Sequence, residues 1–137
     1  MRIRFMFAAM FAPVLASCAS LPGPACGGGA EPKLVAQLLF GRNIGERLGV
    51  SENDFRRFID AEVTPRFSDG FTVLDGRGQY RDSSSNRITR EPSKVVMIVL
   101  GDETRDAPRL DEIAEAYKKK FNQQSVGLVT QRSCARF

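Results

Sequence analysis

Histidine and tryptophan are both absent from the chain, and tyrosine occurs only twice. Without an imidazole there is no Ser-His-Asp triad, no Cys-His dyad and no His-bearing zinc site. Chemistry on this chain has to run through carboxylates, arginines, tyrosines or a borrowed cofactor. No cofactor motif is present, because Gly27-Gly28-Gly29 does not stand between a strand and a helix as a phosphate cradle does. Metal ligation is equally poorly served: isolated cysteines supply too few ligands, and Asp69 with Asp75 lacks the cadence and closing glutamate of an EF-hand. A membrane-spanning run is also missing, since the apolar stretch Phe5 to Ala16 holds only about a dozen residues. Nor is there a one-signed charge. Twenty basic residues face sixteen acids, and setting aside Arg2 and Arg4 leaves a net charge of +2 with both signs interspersed, which argues against nucleic acid as a partner.

What is there begins with an address. Arg2 and Arg4, the apolar stretch and then small residues follow the order of an export signal. Leu15-Ala16-Ser17-Cys18 resembles the bacterial lipobox, which implies cleavage after residue 17, lipidation of Cys18, and a membrane partner reached through that lipid. Ala19 in place of aspartate resembles the pattern for sorting to the outer membrane, facing the periplasm. The alternative is an ordinary secretory signal with an incidental cysteine. With Cys18 lipidated, Cys26 and Cys134 remain as an even pair in an oxidising compartment and read as a disulfide, the alternative being two free thiols. Such a bridge closes a loop of roughly 100 residues, for which chain entropy gives an upper figure near 5 kcal/mol. Residues 18–32, rich in proline and glycine, read as a flexible linker, and 33–137 as a single domain.

Within the domain, Lys33 to Phe40 is a nearly continuous apolar run and predicts a central strand. Ser51 with Asp54 three residues on resembles a capping box, and Phe55, Phe58, Ile59 and Val63 fall on one helical face that ends near Pro65. A second strand is expected from Phe71 to about Tyr80, with a bulge or bend at Asp75-Gly76-Arg77-Gly78. Asp82 to Asn86 predicts a hairpin turn. The third strand has Val95 to Leu100 as its buried part, with Pro92 at its entry. A second helix, with Pro108 near its start and Lys118-Lys119-Lys120 at its end, carries Leu110, Ile113, Ala114, Tyr117 and Phe121 as its apolar stripe. A last strand is expected from Ser125 to Arg136.

The order is βαββαβ, an α+β class with the split pattern of ferredoxin-like folds: an antiparallel sheet with two helices on one face. That topology sets the first and last strands side by side and brings Cys26 to Cys134. It also leaves one sheet face to be polar, covered by a partner, or used to enclose a ligand. Arg42, Arg66, Asp69, Asp75, Gln79, Arg90 and Glu91 cluster around the second and third strands. They are the candidate ligand-binding residues, because guanidinium forks and carboxylates orient small polar ligands. The plainer reading makes Asp69-Gly70 and Asp75-Gly76 turn chemistry paired with the arginines. Of the acid-base candidates, Glu91 and Tyr117, the tyrosine lies on the apolar stripe and reads as core.

Phe40-Gly41-Arg42, Thr64-Pro65-Arg66-Phe67, Asp69-Gly70-Phe71-Thr72-Val73, Asp75 to Arg81 and Arg90-Glu91-Pro92-Ser93-Lys94 together resemble a family of small exported bacterial proteins known as a domain of unknown function. The resemblance covers about Lys33 to Phe137, with Ser68 where proline is usual and Tyr80 where tryptophan is usual. It implies an envelope compartment and a whole domain, and carries over no catalytic residue. The expected function is therefore a lipid-anchored envelope protein that binds a partner or small polar ligand without catalysis and without a cofactor or metal. The alternatives are a barrel-type enzyme using Arg42, Asp75, Arg90 or Glu91, and a structural homodimer joined through the open sheet face.

Overall fold

The computed structural model describes residues 25–137, so the expected signal segment and Cys18 lie outside the described residues. Strand β1, Glu31–Gly41, is central as its apolar run predicts, pairing antiparallel with β5, Ile88–Val99, on one side and with β6, Gly127–Ala135, on the other. Strand β4, Thr72–Arg81, completes a four-stranded sheet of order β4-β5-β1-β6. The short strands β2, Asn43–Ile44, and β3, Arg47–Leu48, form a small hairpin between β1 and the first helix that no sequence signal marked.

Helix α1, Glu52–Phe58, opens on the expected capping box: Ser51 Oγ accepts from the Asp54 N–H at 3.1 Å, and the Asp54 carboxylate accepts from the Ser51 N–H at 3.3 Å. It runs into a single π-helical turn, Ile59–Val63, just before Pro65. Helix α2, Glu103–Phe121, starts earlier than its proline suggested, because Asp102 caps it by accepting from the Arg105 N–H at 3.0 Å. Pro108 therefore lies inside the helix, where it removes one backbone donor.

Two strand expectations are corrected. The register from Thr72↔Met97 to Arg81↔Ile88 runs unbroken through Asp75-Gly76-Arg77-Gly78, so the glycines mark close approach and not a bulge. Pro92 is not an entry residue but sits in mid-strand, opposite Arg77. A strand residue directs its N–H and C=O to the same side, and the Pro92 C=O accepts from the Arg42 N–H at 3.1 Å, where the β1 ladder has ended. The missing donor thus faces away from β4 and breaks no bond of that ladder.

Alternation sorts the side chains. Leu34, Ala36, Leu38 and Phe40 of β1, with Val96 and Ile98 of β5, face Phe55, Phe58, Leu110, Ile113 and Tyr117 of the helices in one apolar core. Phe40 lies at the centre of an aromatic cluster, with ring centroids 4.7 Å from Tyr117, 5.6 Å from Phe55 and 5.9 Å from Phe58. Tyr117 is fully buried and donates its hydroxyl proton to the Gly41 C=O at 2.8 Å, in keeping with its reading as core. Because β1 and β6 are neighbours, Cys26 and Cys134 meet in a disulfide across 108 residues of chain, with Cα atoms 5.6 Å apart.

Candidate functional site

The residues out of phase with the core line the other sheet face, and at the C-terminal end of β1 that face is built from very small side chains. Gly41, Gly76, Gly78 and Ser93 form its floor, joined by Gly127 at the start of β6. The β2–β3 hairpin and the β4–β5 turn also contribute, and Glu46 of one meets Arg87 of the other at 3.2 Å. The resulting groove has a volume of about 970 Å³.

Glu91 is the acid of its floor. A side chain at Gly41 would place its Cβ 2.7 and 2.9 Å from the two Glu91 carboxylate oxygens, and one at Gly78 would lie 3.4 Å from Glu91 Cγ. The glutamate therefore lies across the space that two missing side chains leave on neighbouring strands. Its Oε2 accepts from the Asn43 N–H at 3.4 Å, and among the described residues it has no ion-pair partner. Asn43 is in turn held by Gln123, whose side-chain amide donates to the Asn43 C=O at 2.7 Å. A half-buried carboxylate positioned this way accepts hydrogen bonds from a ligand or receives a cation.

The other predicted residues go elsewhere. Arg42 is buried on the helix side, donating to the Val50 C=O at 2.9 Å and pairing with Glu52. Asp75 is exposed on that same side and meets the buried ammonium of Lys94 at 2.5 Å, while Glu52 meets Lys94 at 2.7 Å. Burial pulls the Lys94 pKa down, but the hydrogen bonds its ammonium donates to Asp75 and Glu52 outweigh burial and hold it above the ordinary lysine value. Hydrogen bonds from Lys94 lower both carboxylates. This cluster of two buried cations and two exposed acids joins α1 to the sheet. Lys94 and Glu52 were missed, although Lys94 is in phase with the core residues Val96 and Ile98, and an inward-facing lysine demands partners.

Gln79 and Arg90 pair in register near the β4–β5 turn and do not line the groove. Arg66 and Asp69 lie at the opposite end of the sheet, in a smaller recess of about 240 Å³ with Arg105, Asp106 and Arg109. Arg66 is committed there to Glu62 and Glu112, each at 3.0 Å. Asp106 is buried and bound by Arg105 at 2.8 Å and by the Asp102 N–H at 3.0 Å. The seven candidates thus divide among four places, and Glu91 alone of them lines the groove. Arg42, Asp75 and Arg90 do not converge on one pocket, as a barrel-type enzyme built on them requires.

Comparison with known proteins places the domain. The profile of DUF3574, described as a protein of unknown function, matches residues 35–137. The chain belongs to this family. The match spans nearly the whole domain and contains both the groove and the Lys94 cluster. No curated protein sequence matches the chain. Among solved structures, a phage SAM lyase in complex with S-methyl-5'-thioadenosine is similar with a TM-score of 0.60 at 19% identity, over 85% of this chain and 95% of that one. Its apo state is similar with a TM-score of 0.59 at 18% identity, over 82% and 87%. CutA from Synechococcus elongatus gives a TM-score of 0.49 at 13% identity, over 74% and 78%. At these identities the likeness to the lyase is one of fold.

Proposed function

We propose that this DUF3574 domain has a ferredoxin-like fold and works as a lipid-anchored envelope protein, tethered through Cys18 to the outer membrane and binding a small polar ligand without transforming it. The strand order β4-β5-β1-β6, antiparallel throughout, supports the fold. The signal-like leader, the lipobox resemblance and the Cys26–Cys134 disulfide support an oxidising compartment. The ligand reading rests on one observation: Glu91, without an ion-pair partner among the described residues, is laid across a glycine floor inside a groove of about 970 Å³. Sites for small molecules are concavities with a few fixed polar groups, and a floor of glycines gives a ligand direct access to strand backbone.

Native mass spectrometry of the full chain taken from its own membranes tests both parts. Lipidation predicts a diacylated N-terminal cysteine at position 18 and loss of membrane association in Cys18→Ser; an unmodified sulfur there, or unchanged partitioning of the variant, overturns the anchor. Ligand binding predicts a small molecule retained by the wild type and lost in Glu91→Gln. Identical spectra of the two proteins overturn that part.

A further inference from the structure

Beyond the groove, the uncovered face is strongly apolar. Val35, Leu39, Leu74, Met97, Val99 and Val129 occupy three successive rows across all four strands. Leu39, Leu74 and Val129 are 39, 48 and 48% exposed, Met97 and Val99 are half-buried, and Val35 is buried among them. Neither helix packs on this side, because α1 and α2 are spent on the opposite face. An apolar patch whose outer residues meet water marks an interaction surface.

Its charges identify the occupant. Apart from the strand-end residue Glu31, the strands of this face carry one cation, Lys33, and one anion, Glu91, at opposite ends of the apolar rows, and the loop charges Glu46 and Arg87 at the groove pair with each other. The middle row is Thr72, Met97, Gln37 and Val129. A two-fold axis through that row, in the plane of the interface and perpendicular to the strands, lays the Val35 row of one copy on the Leu39 row of the other. It also sets Lys33 opposite Gly41, and the Gly41 position is where the Glu91 carboxylate lies. The face is therefore complementary to itself, with its two charges matched twice over. Four strands ~4.8 Å apart and ~33 Å long give a face of ~600 Å², near the ~800 Å² per partner of a standard interface.

We infer that a second copy of this chain covers the open sheet face and that its Lys33 reaches Glu91, roofing the groove. Lys33 now meets the exposed Glu31 at 2.9 Å and exchanges that partner for the half-buried one. The inference stands on the apolar rows and the placement of charge, whatever the groove binds.

Carbodiimide joins a lysine to a carboxylate only where the two touch. Within one copy Lys33 and the Gly41 position are eight residues apart along β1, ~26 Å, so a Lys33–Glu91 link can form only between copies. In the full chain we expect a cross-linked species of twice the chain mass that yields this peptide pair, and a two-chain mass by sedimentation in detergent solution. Leu39→Asp and, separately, Leu74→Asp should abolish both; the partly exposed positions and a wild-type far-UV circular dichroism spectrum show that the variants fold. A wild-type mass of one or three chains overturns the inference. So does a two-chain mass that both variants keep, or a Glu91 link to any other protein.

Discussion

A glycine acts here through the side chain it lacks. Gly41 keeps an ordinary backbone conformation, yet any side chain at that position collides with the carboxylate of Glu91. The atoms met are the mobile end of a glutamate, which can swing away, so Gly41→Ala should cost less than about 1 kcal/mol in a urea titration, below the usual range for overpacking. The same substitution should displace Glu91 and lose the small molecule retained by the wild type, as Glu91→Gln does. A variant that binds normally would show that the glycine serves only the packing of β1 against β5. At this scale the sequence was partly legible. The turn at Asp82 was read from its residues, and the Asp82 carboxylate accepts from the Ser84 and Ser85 N–H groups at 3.1 and 2.7 Å. The inward-facing Lys94 was not drawn out, because a lysine inside a motif does not say which carboxylates will reach it.

Among the elements, α2 depends most on a single acid. Asp106 is buried near its N-terminus; the hydrogen bond from Arg105 leads in holding its pKa below the usual 3.8, against the opposing effect of burial. A group with a lowered folded pKa stabilises the protein fully above its unfolded value and loses that contribution as pH falls through the folded one. Urea midpoints should therefore decline as pH drops from about 5 to 2, with Asp106 among the contributing carboxylates. Asp106→Asn should be less stable at pH 7 and show a shallower decline. Equal slopes for the two proteins would remove Asp106 from the acid response. The elements themselves were visible from apolar periodicity, because a buried face imposes its repeat whatever its partner. What misled was local punctuation: two glycines that read as a bulge or bend and a proline that read as a strand entry lie inside unbroken strands, since β5 side chains fill the space beside the glycines and the proline turns its missing donor off the β4 ladder.

For the whole molecule the longest lever is the disulfide, which ties the segment before β1 to the end of β6. Cross-linking ends 108 residues apart restrains the unfolded chain, and losing such a bridge costs about 2–5 kcal/mol. Cys134→Ser should melt well below the wild type and, unlike it, be insensitive to reductant. A variant with the wild-type melting temperature would mean that the β1–β6 ladder alone holds this edge of the sheet.

By itself the sequence determined the order of the main elements, the α+β class and the pairing of Cys26 with Cys134. Each follows from a repeat or a count carried along one dimension. Tertiary structure alone decided which residues share a site. It divided the seven candidate residues among the groove, the Lys94 cluster, the end of the β4–β5 ladder and the recess at the far end of the sheet. It also assembled the groove floor from Gly41, Gly76, Gly78 and Glu91 on three strands. The physical reason is register: one residue of offset between strands moves a side chain to the other face of the sheet, and nothing written along a single strand reports that offset.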